Sequence, residues 1–150
     1  MHALFTIGYE LALPAAVLGE LKRAKIELLV DTRAVAASRR PGFSKRQVAA
    51  SLDEAGIAYV HLQKLGTPAE GRQAARSGEL DTLWRIYDKQ IKTPEAQEAL
   101  NELIALIKSG KRVCLLCYCR DPKACHRDRI VANVKKRTPV NVENLIPPPF

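Results

Sequence analysis

ALFTIGYELALPAAVLGELKRAKIELLVD, residues Ala3 to Asp31, holds two short apolar runs on either side of an amphipathic one. ALFTIG (Ala3–Gly8) reads as a buried strand, PAAVLGELKRAK (Pro14–Lys25) as a helix, and IELLVD (Ile26–Asp31) as a second buried strand ending on Asp31. This is a βαβ start. Parallel neighbours need a long crossover and bury both faces, so their strands are apolar throughout instead of alternating.

The rest of the chain repeats the pattern. Beyond a basic loop to Phe43, Ser44 with Gln47 three residues on forms a capping-box signature, opening a helix that Gly56 closes. IAYVHL (Ile57–Leu62) is a third strand. Leu65–Ser77 is polar and glycine-containing and reads as a loop with at most one helical turn. LDTLWRIYDKQI (Leu80–Ile91) has Leu80, Leu83, Trp84 and Tyr87 at helical spacing. TPEAQEALNELIALIKSG (Thr93–Gly110) combines a Thr cap, Pro at the first helical position and Gly beyond the end. RVCLLC (Arg112–Cys117) is the most hydrophobic strand, and Asp121-Pro122 can cap and start a last helix running to about Lys136. VNVENLI (Val140–Ile146) adds a short final strand. Strands separated by helices predict an α/β fold, a three-layer single domain with a mostly parallel sheet, spanning 1–150 with a core of about 3–146 and a tail at 147–150.

Composition agrees with one globular domain: 150 residues, 47% hydrophobic and 27% charged. The formal net charge is +8, concentrated in a block from Arg33 to Arg46 and another from Lys108 to Arg137. Such blocks fit an anionic partner, a phosphorylated or other anionic small molecule or nucleic acid, or else a solvated basic surface. No apolar run reaches membrane-spanning length, and the N-terminus lacks the basic region of a signal peptide, so a cytoplasmic protein without a membrane partner is expected. There thiols stay reduced, and four cysteines crowded between Cys114 and Cys125 make a poor disulfide framework.

Ligands of open parallel sheets bind beyond the carboxyl ends of the strands. The residues there are Tyr9 and Glu10, then Asp31 and Arg33, then His61, then Cys117. On the last helix, Ile130, Val131 and Val134 set an inward stripe, and one turn earlier the same face carries His126 and Arg127. Cys114 lies within the strand and reads as core. Cys117 leaves the strand among Arg120, Lys123 and Arg127, a setting for an activated thiol, with inert burial as the rival. Zinc would need Cys117, Cys119, Cys125 and His126 together. The spacing lacks paired C-x2-C units and asks adjacent residues to bind one ion, so neither metal nor cofactor is expected.

TIGY (Thr6–Tyr9), VDTR (Val30–Arg33), SRRPGF (Ser38–Phe43), GIAYVHLQKLG (Gly56–Gly66) and LLCYCRDPKACHR (Leu115–Arg127) occur in an order that resembles the domain-of-unknown-function family 488. The resemblance covers about Ala3 to Val134. It implies a compact α/β fold with shared polar residues at strand exits, and no assigned activity. The family usually has an acid where Cys119 stands, and often His-Ser where Tyr9-Glu10 stand. A more distant similarity is to rhodanese-like sulfurtransferases, whose loop usually carries an arginine six residues after the nucleophile, where this chain has Lys123.

The expectation is an oxyanion pocket above the sheet. Cys117 is its nucleophile, His126 a proton carrier, Asp31 an orienting carboxylate, and Arg33, Arg39 and Arg127 bind the anion, with Tyr9, Glu10, Ser38, His61 and Cys125 lining it. A nucleic-acid or nucleotide-binding module and a structural zinc domain are the alternatives. Buried Arg127 is tolerable only if Asp31 or Glu10 partners it, or if an anion completes it.

Overall fold

The structure, a computed structural model, describes residues 1–150. Five strands, β1 (His2–Gly8), β2 (Leu28–Asp31), β3 (Ala58–His61), β4 (Val113–Cys117) and β5 (Val140–Leu145), form one sheet in the order β3-β2-β4-β1-β5. Every pairing is parallel, so the sheet is wholly parallel and not merely mostly so.

Six helices cover it: α1 (Pro14–Arg23), α2 (Lys45–Glu54), α3 (Ala69–Arg76), α4 (Leu80–Gln90), α5 (Pro94–Lys108) and α6 (His126–Lys135). The layers follow from strand alternation. Along β4, Val113 and Leu115 join Leu4, Val30, Tyr87, Leu103 and Ile130 in one core, under α4, α5 and α6. Cys114 and Leu116 join Phe5, Ile7, Val17, Leu21, Val48 and Leu52 in the other, under α1 and α2. Both faces of β4 are therefore apolar, which is why its sequence shows no alternation. Cys114 is core, as its place in the strand predicts. No helix is long and apolar enough to cross a membrane.

The helix ends follow local chemistry. Thr93 Oγ1 accepts a hydrogen bond from the Ala96 N–H at 3.3 Å at the start of α5, and Gln47 Oε1 accepts one from the Ser44 N–H at 3.4 Å at the start of α2. Gly56 and Gly110, just beyond α2 and α5, adopt positive φ of 74° and 89°.

Three segments differ from the sequence reading. Leu65–Ser77 is not mainly loop: a 3-10 turn at Gln63–Leu65 precedes α3. This eight-residue helix is too short to stand alone, and its buried Gly71 rests on Leu83 and Ile86 of α4, a tertiary contact invisible to local pattern. The last helix starts later than Asp121-Pro122. Asp121 Oδ1 instead accepts from the Lys123 N–H at 3.0 Å, closing a 3-10 turn at Pro122–Ala124. Extended Cys125, φ −130° and ψ 148°, then breaks the chain before α6 begins at His126. The closing residues also fold back: the Phe150 N–H donates to Leu11 O at 2.9 Å, and the Arg40 guanidinium lies 5.4 Å from the Phe150 ring centroid.

Gly8, the last residue of β1, allows the loop after β4 to close over the sheet. A Cβ there would lie 1.8 Å from the Cys119 carbonyl oxygen and 3.1 Å from Arg127 Nη2. Gly8→Ala should push that loop aside, cost at least about 1–3 kcal/mol in thermal or denaturant unfolding, and raise the alkylation rate of Cys119. An unchanged midpoint and thiol reactivity would show that the loop is not held there.

Candidate functional site: a thiol cluster beside a buried arginine

β2 hands the chain to α2 on one face of the sheet, while neighbouring β4 hands it to α6 on the other. Divergent connections open a crevice at the carboxyl ends of such strands. Thr32 ties its two sides together: its N–H and Oγ1 both donate to Leu116 O, at 3.0 and 2.8 Å. From α6, His126 Nε2 donates to Thr32 O at 2.9 Å. Because a carbonyl can only accept, Nε2 carries the proton and Nδ1 keeps a free lone pair, 3.7 Å from Cys125 Sγ. Burial lowers the pKa of His126 from its ordinary value.

On the β2 side, Asp31 and Arg33 form a closed ion pair. Arg33 Nε donates to Asp31 Oδ1 at 2.9 Å and Nη2 to Oδ2 at 2.7 Å, while Nη1 reaches Phe43 O at 2.6 Å and Tyr9 Oη at 3.2 Å. Tyr59 Oη adds a bond to Asp31 Oδ2 at 2.5 Å. Burial alone would raise the Asp31 carboxyl, but Arg33 and Tyr59 outweigh it and hold the group below its usual range. Arg33 is raised above its ordinary value by the same pair, against the opposing effect of burial. With every nitrogen of Arg33 engaged, the pair holds the loop from β2 to α2 in place.

Arg127 is different. It is 1% exposed, yet none of the chain's ion pairs includes it. Nη2 donates to Cys119 O at 2.6 Å and Arg120 O at 3.2 Å, Nη1 to Thr6 Oγ1 at 3.3 Å, and Nε is buried without a partner. Neither carboxylate expected to neutralise it does so: Asp31 is committed to Arg33, and Glu10 Oε1 accepts from the Arg120 N–H at 2.9 Å. What stands near it is sulfur. The Sγ atoms of Cys117, Cys119 and Cys125 lie within 4.8 Å of one another, Cys117 and Cys125 buried and Cys119 half-buried.

The cluster shares its protons unequally. Burial pushes the Cys117 thiol well above its ordinary range. For Cys119, the contact with Cys117 favours the thiolate, but the contact with Cys125 and burial carry it up to about 11. Cys125 goes the other way: burial opposes its thiolate, but hydrogen bonds from Cys117 and Cys119 and the charge of Arg127 bring it well below the thiol range.

Residues 14–134 match the family described as Domain of unknown function DUF488. The chain belongs to that family. No curated protein and no solved structure matches it, and the rhodanese-like layout therefore finds no support.

Of the residues predicted for a site in this DUF488 domain, Cys117, Cys125, His126 and Arg127 come together around the end of β4. Asp31 and Arg33 satisfy each other, so His126 is oriented by Thr32 instead of by Asp31. Tyr9 stacks on Phe43 with centroids 4.4 Å apart, and His61 Nε2 donates to Arg33 O at 2.6 Å. Ser38 Oγ accepts from the Arg40 N–H at 3.1 Å, and Arg39 is exposed. The basic residue that matters in that loop is Arg40, which donates to Tyr9 O at 2.6 Å and to Ala12 O. Sequence reasoning weighed Cys119 only as one of four zinc ligands that included His126 and left it out of the oxyanion site, although its two-residue spacing from Cys117 was visible. Thr32 acts through its backbone carbonyl, for which side-chain identity gives no signal.

The Asp31–Arg33 pair should make stability depend on acid. A carboxyl with a lowered folded pKa contributes fully above its unfolded value, and that contribution is lost as pH falls through the folded one. Arg33→Met leaves the carboxylate buried without its cation, at a cost of about 3–5 kcal/mol near neutral pH, and should weaken the acid dependence of the thermal midpoint. An unshifted midpoint with an unchanged acid limb would remove the pair from the framework.

Proposed function

We propose that this DUF488 domain is a thiolate metal centre, in which Cys117, Cys119 and Cys125 hold a thiophilic divalent cation, zinc in the first instance. One observation carries the reading: three sulfur atoms within 4.8 Å of one another beside a buried guanidinium that has no carboxylate. Tetrahedral zinc–sulfur bonds of about 2.3 Å put sulfurs about 3.8 Å apart, so ligation asks for contraction of about 1 Å at most. The charge also balances. A divalent ion with three thiolates carries one net negative charge, and Arg127 cancels it.

The spacing argument against a metal rested on missing paired C-x2-C units and on adjacent Cys125 and His126 both binding; the second ground falls away, because three sulfurs form the set without His126. The oxyanion reading has less support. Arg33 has its nitrogens engaged by Asp31, Tyr9 and Phe43, and the partnered nitrogens of Arg127 face two backbone carbonyls and Thr6. A nucleophilic Cys117 would have to act from full burial.

The test is equilibration of reduced, chelator-free protein with zinc, followed by gel filtration and elemental analysis. About one zinc per chain should remain, each of Cys117→Ser, Cys119→Ser and Cys125→Ser should abolish stoichiometric retention, and Cys114→Ser should not. At a free concentration about 100 times its dissociation constant, zinc should add about 2.7 kcal/mol of stability. No retained zinc, or retention unaffected by the three serine variants, defeats the reading.

A further inference from the structure

Three protein sulfurs leave a tetrahedral metal one position short, and the surroundings say what can fill it. No carboxylate oxygen lies in the set of mutually close ligand atoms. Asp31 is locked to Arg33 and Tyr59, Glu10 accepts from the Arg120 N–H, and Asp121 caps the Pro122–Ala124 turn. Cys114 belongs to the opposite core. The remaining candidate is His126, whose Nδ1 lies 3.7 Å from Cys125 Sγ but which stands outside the set of mutually close ligand atoms. Its ring is held: Nε2 donates to Thr32 O at 2.9 Å, with Thr32 Oγ1 at 3.2 Å, and the ring lies 5.5 Å from that of Tyr87. Turning Nδ1 toward the centre of the three sulfurs would disturb these contacts.

The cluster is also not sealed. Cys117 and Cys125 are buried, but Cys119 and His126 are half-buried. One side of the triad therefore faces solvent. Arg120, next in the chain, turns away to donate to Pro147 O at 2.9 Å, and exposed Asp121 and Lys123 follow it.

We infer that the fourth coordination position is open on the Cys119–His126 side and takes a small exogenous thiolate, making this a ligand-exchanging centre and not a closed structural one. The inference rests on the metal reading above. Sites with three protein ligands keep a position for water or substrate, whereas structural sites are filled by four. Soft sulfur ligands favour soft partners. The binding step is Lewis acid–base chemistry. A thiol loses its S–H proton to water, its sulfur forms the bond to the metal in place of a bound water, and no atom changes oxidation state. His126 then stands beside the open position without binding the metal.

Cobalt(II) distinguishes the cases, because its sulfur charge-transfer and ligand-field bands report ligand set and geometry. The metal-exchanged protein, kept reduced with a phosphine, is titrated with 2-mercaptoethanol. The expected result is a saturable change in the ligand-field bands and added sulfur-to-cobalt absorption in wild type, with the same response in His126→Ala. Bands that ignore the thiol in wild type but respond in His126→Ala would mean that His126 closes the site, and would overturn the inference while leaving the metal centre standing. Bands that ignore it in both proteins would overturn it as well. If no sulfur-to-cobalt absorption appears without added thiol, the metal reading itself fails and takes the inference with it. Because His126→Ala removes the bond to Thr32, circular dichroism of each variant is recorded; should His126→Ala not fold, His126→Gln replaces it and wild type alone decides by its response.

Discussion

A guanidinium cannot be stripped of water for nothing, and Arg127 has been stripped almost completely. It is among the largest fully buried side chains of the protein, surrounded by backbone carbonyls and a threonine instead of a carboxylate. Carbonyl dipoles offset part of the desolvation penalty, but a buried charge is stable only when an opposite charge is close. The group able to provide one is the Cys125 thiolate, which hydrogen bonds from Cys117 and Cys119 and the charge of Arg127 favour against the opposing effect of burial. The same cation holds the loop carrying Cys119, through the carbonyl of Cys119 itself. Arg127 thus holds the loop that places Cys119, and in the proposed metal centre it would balance the charge on the sulfurs.

The sheet makes this possible by bringing strand exits together. Because all five strands run parallel, Gly8, Asp31 and Cys117 end at one edge, and neighbouring connections leave on opposite faces. Two arginines then play opposite parts. Arg33 is neutralised within its own loop by Asp31, two residues away, and acts as framework. Arg127, reaching in from the first turn of α6, finds no acid. A basic sequence alone cannot distinguish these two fates, since each arginine sits beside a strand exit and each is buried.

Much of the fold was legible in the chain, because short apolar runs separated by capped amphipathic segments admit few other architectures. The strands, the helices after Ser44 and Thr93, and the inward direction of Arg127 follow from period and capping. What escaped depends on distant contacts. α3 exists because α4 supports Gly71, and the delayed start of α6 comes from a turn that Asp121 closes locally. At the site, the gathering of Cys117, His126 and Arg127 was visible from helical spacing, but the pairing of Asp31 with Arg33 was not, since an acid two residues before an arginine on a loop has no fixed geometry. Cys119 was undervalued for a similar reason: adjacent Cys125 and His126 drew the question toward whether both could bind, when the sulfurs meet without the histidine.

If the negative charge beside Arg127 is that of a metal–thiolate complex, the arginine and the metal must depend on each other. The direct measurement is the thermal midpoint of wild type and Arg127→Met, each with chelator and with saturating zinc. Zinc should raise the wild-type midpoint substantially and that of Arg127→Met much less, because in the variant the complex is left with an uncompensated charge; without metal the two proteins should differ less than they do with it. Equal zinc increments in both proteins, or no zinc effect on wild type, would contradict a guanidinium buried to balance sulfur-bound metal.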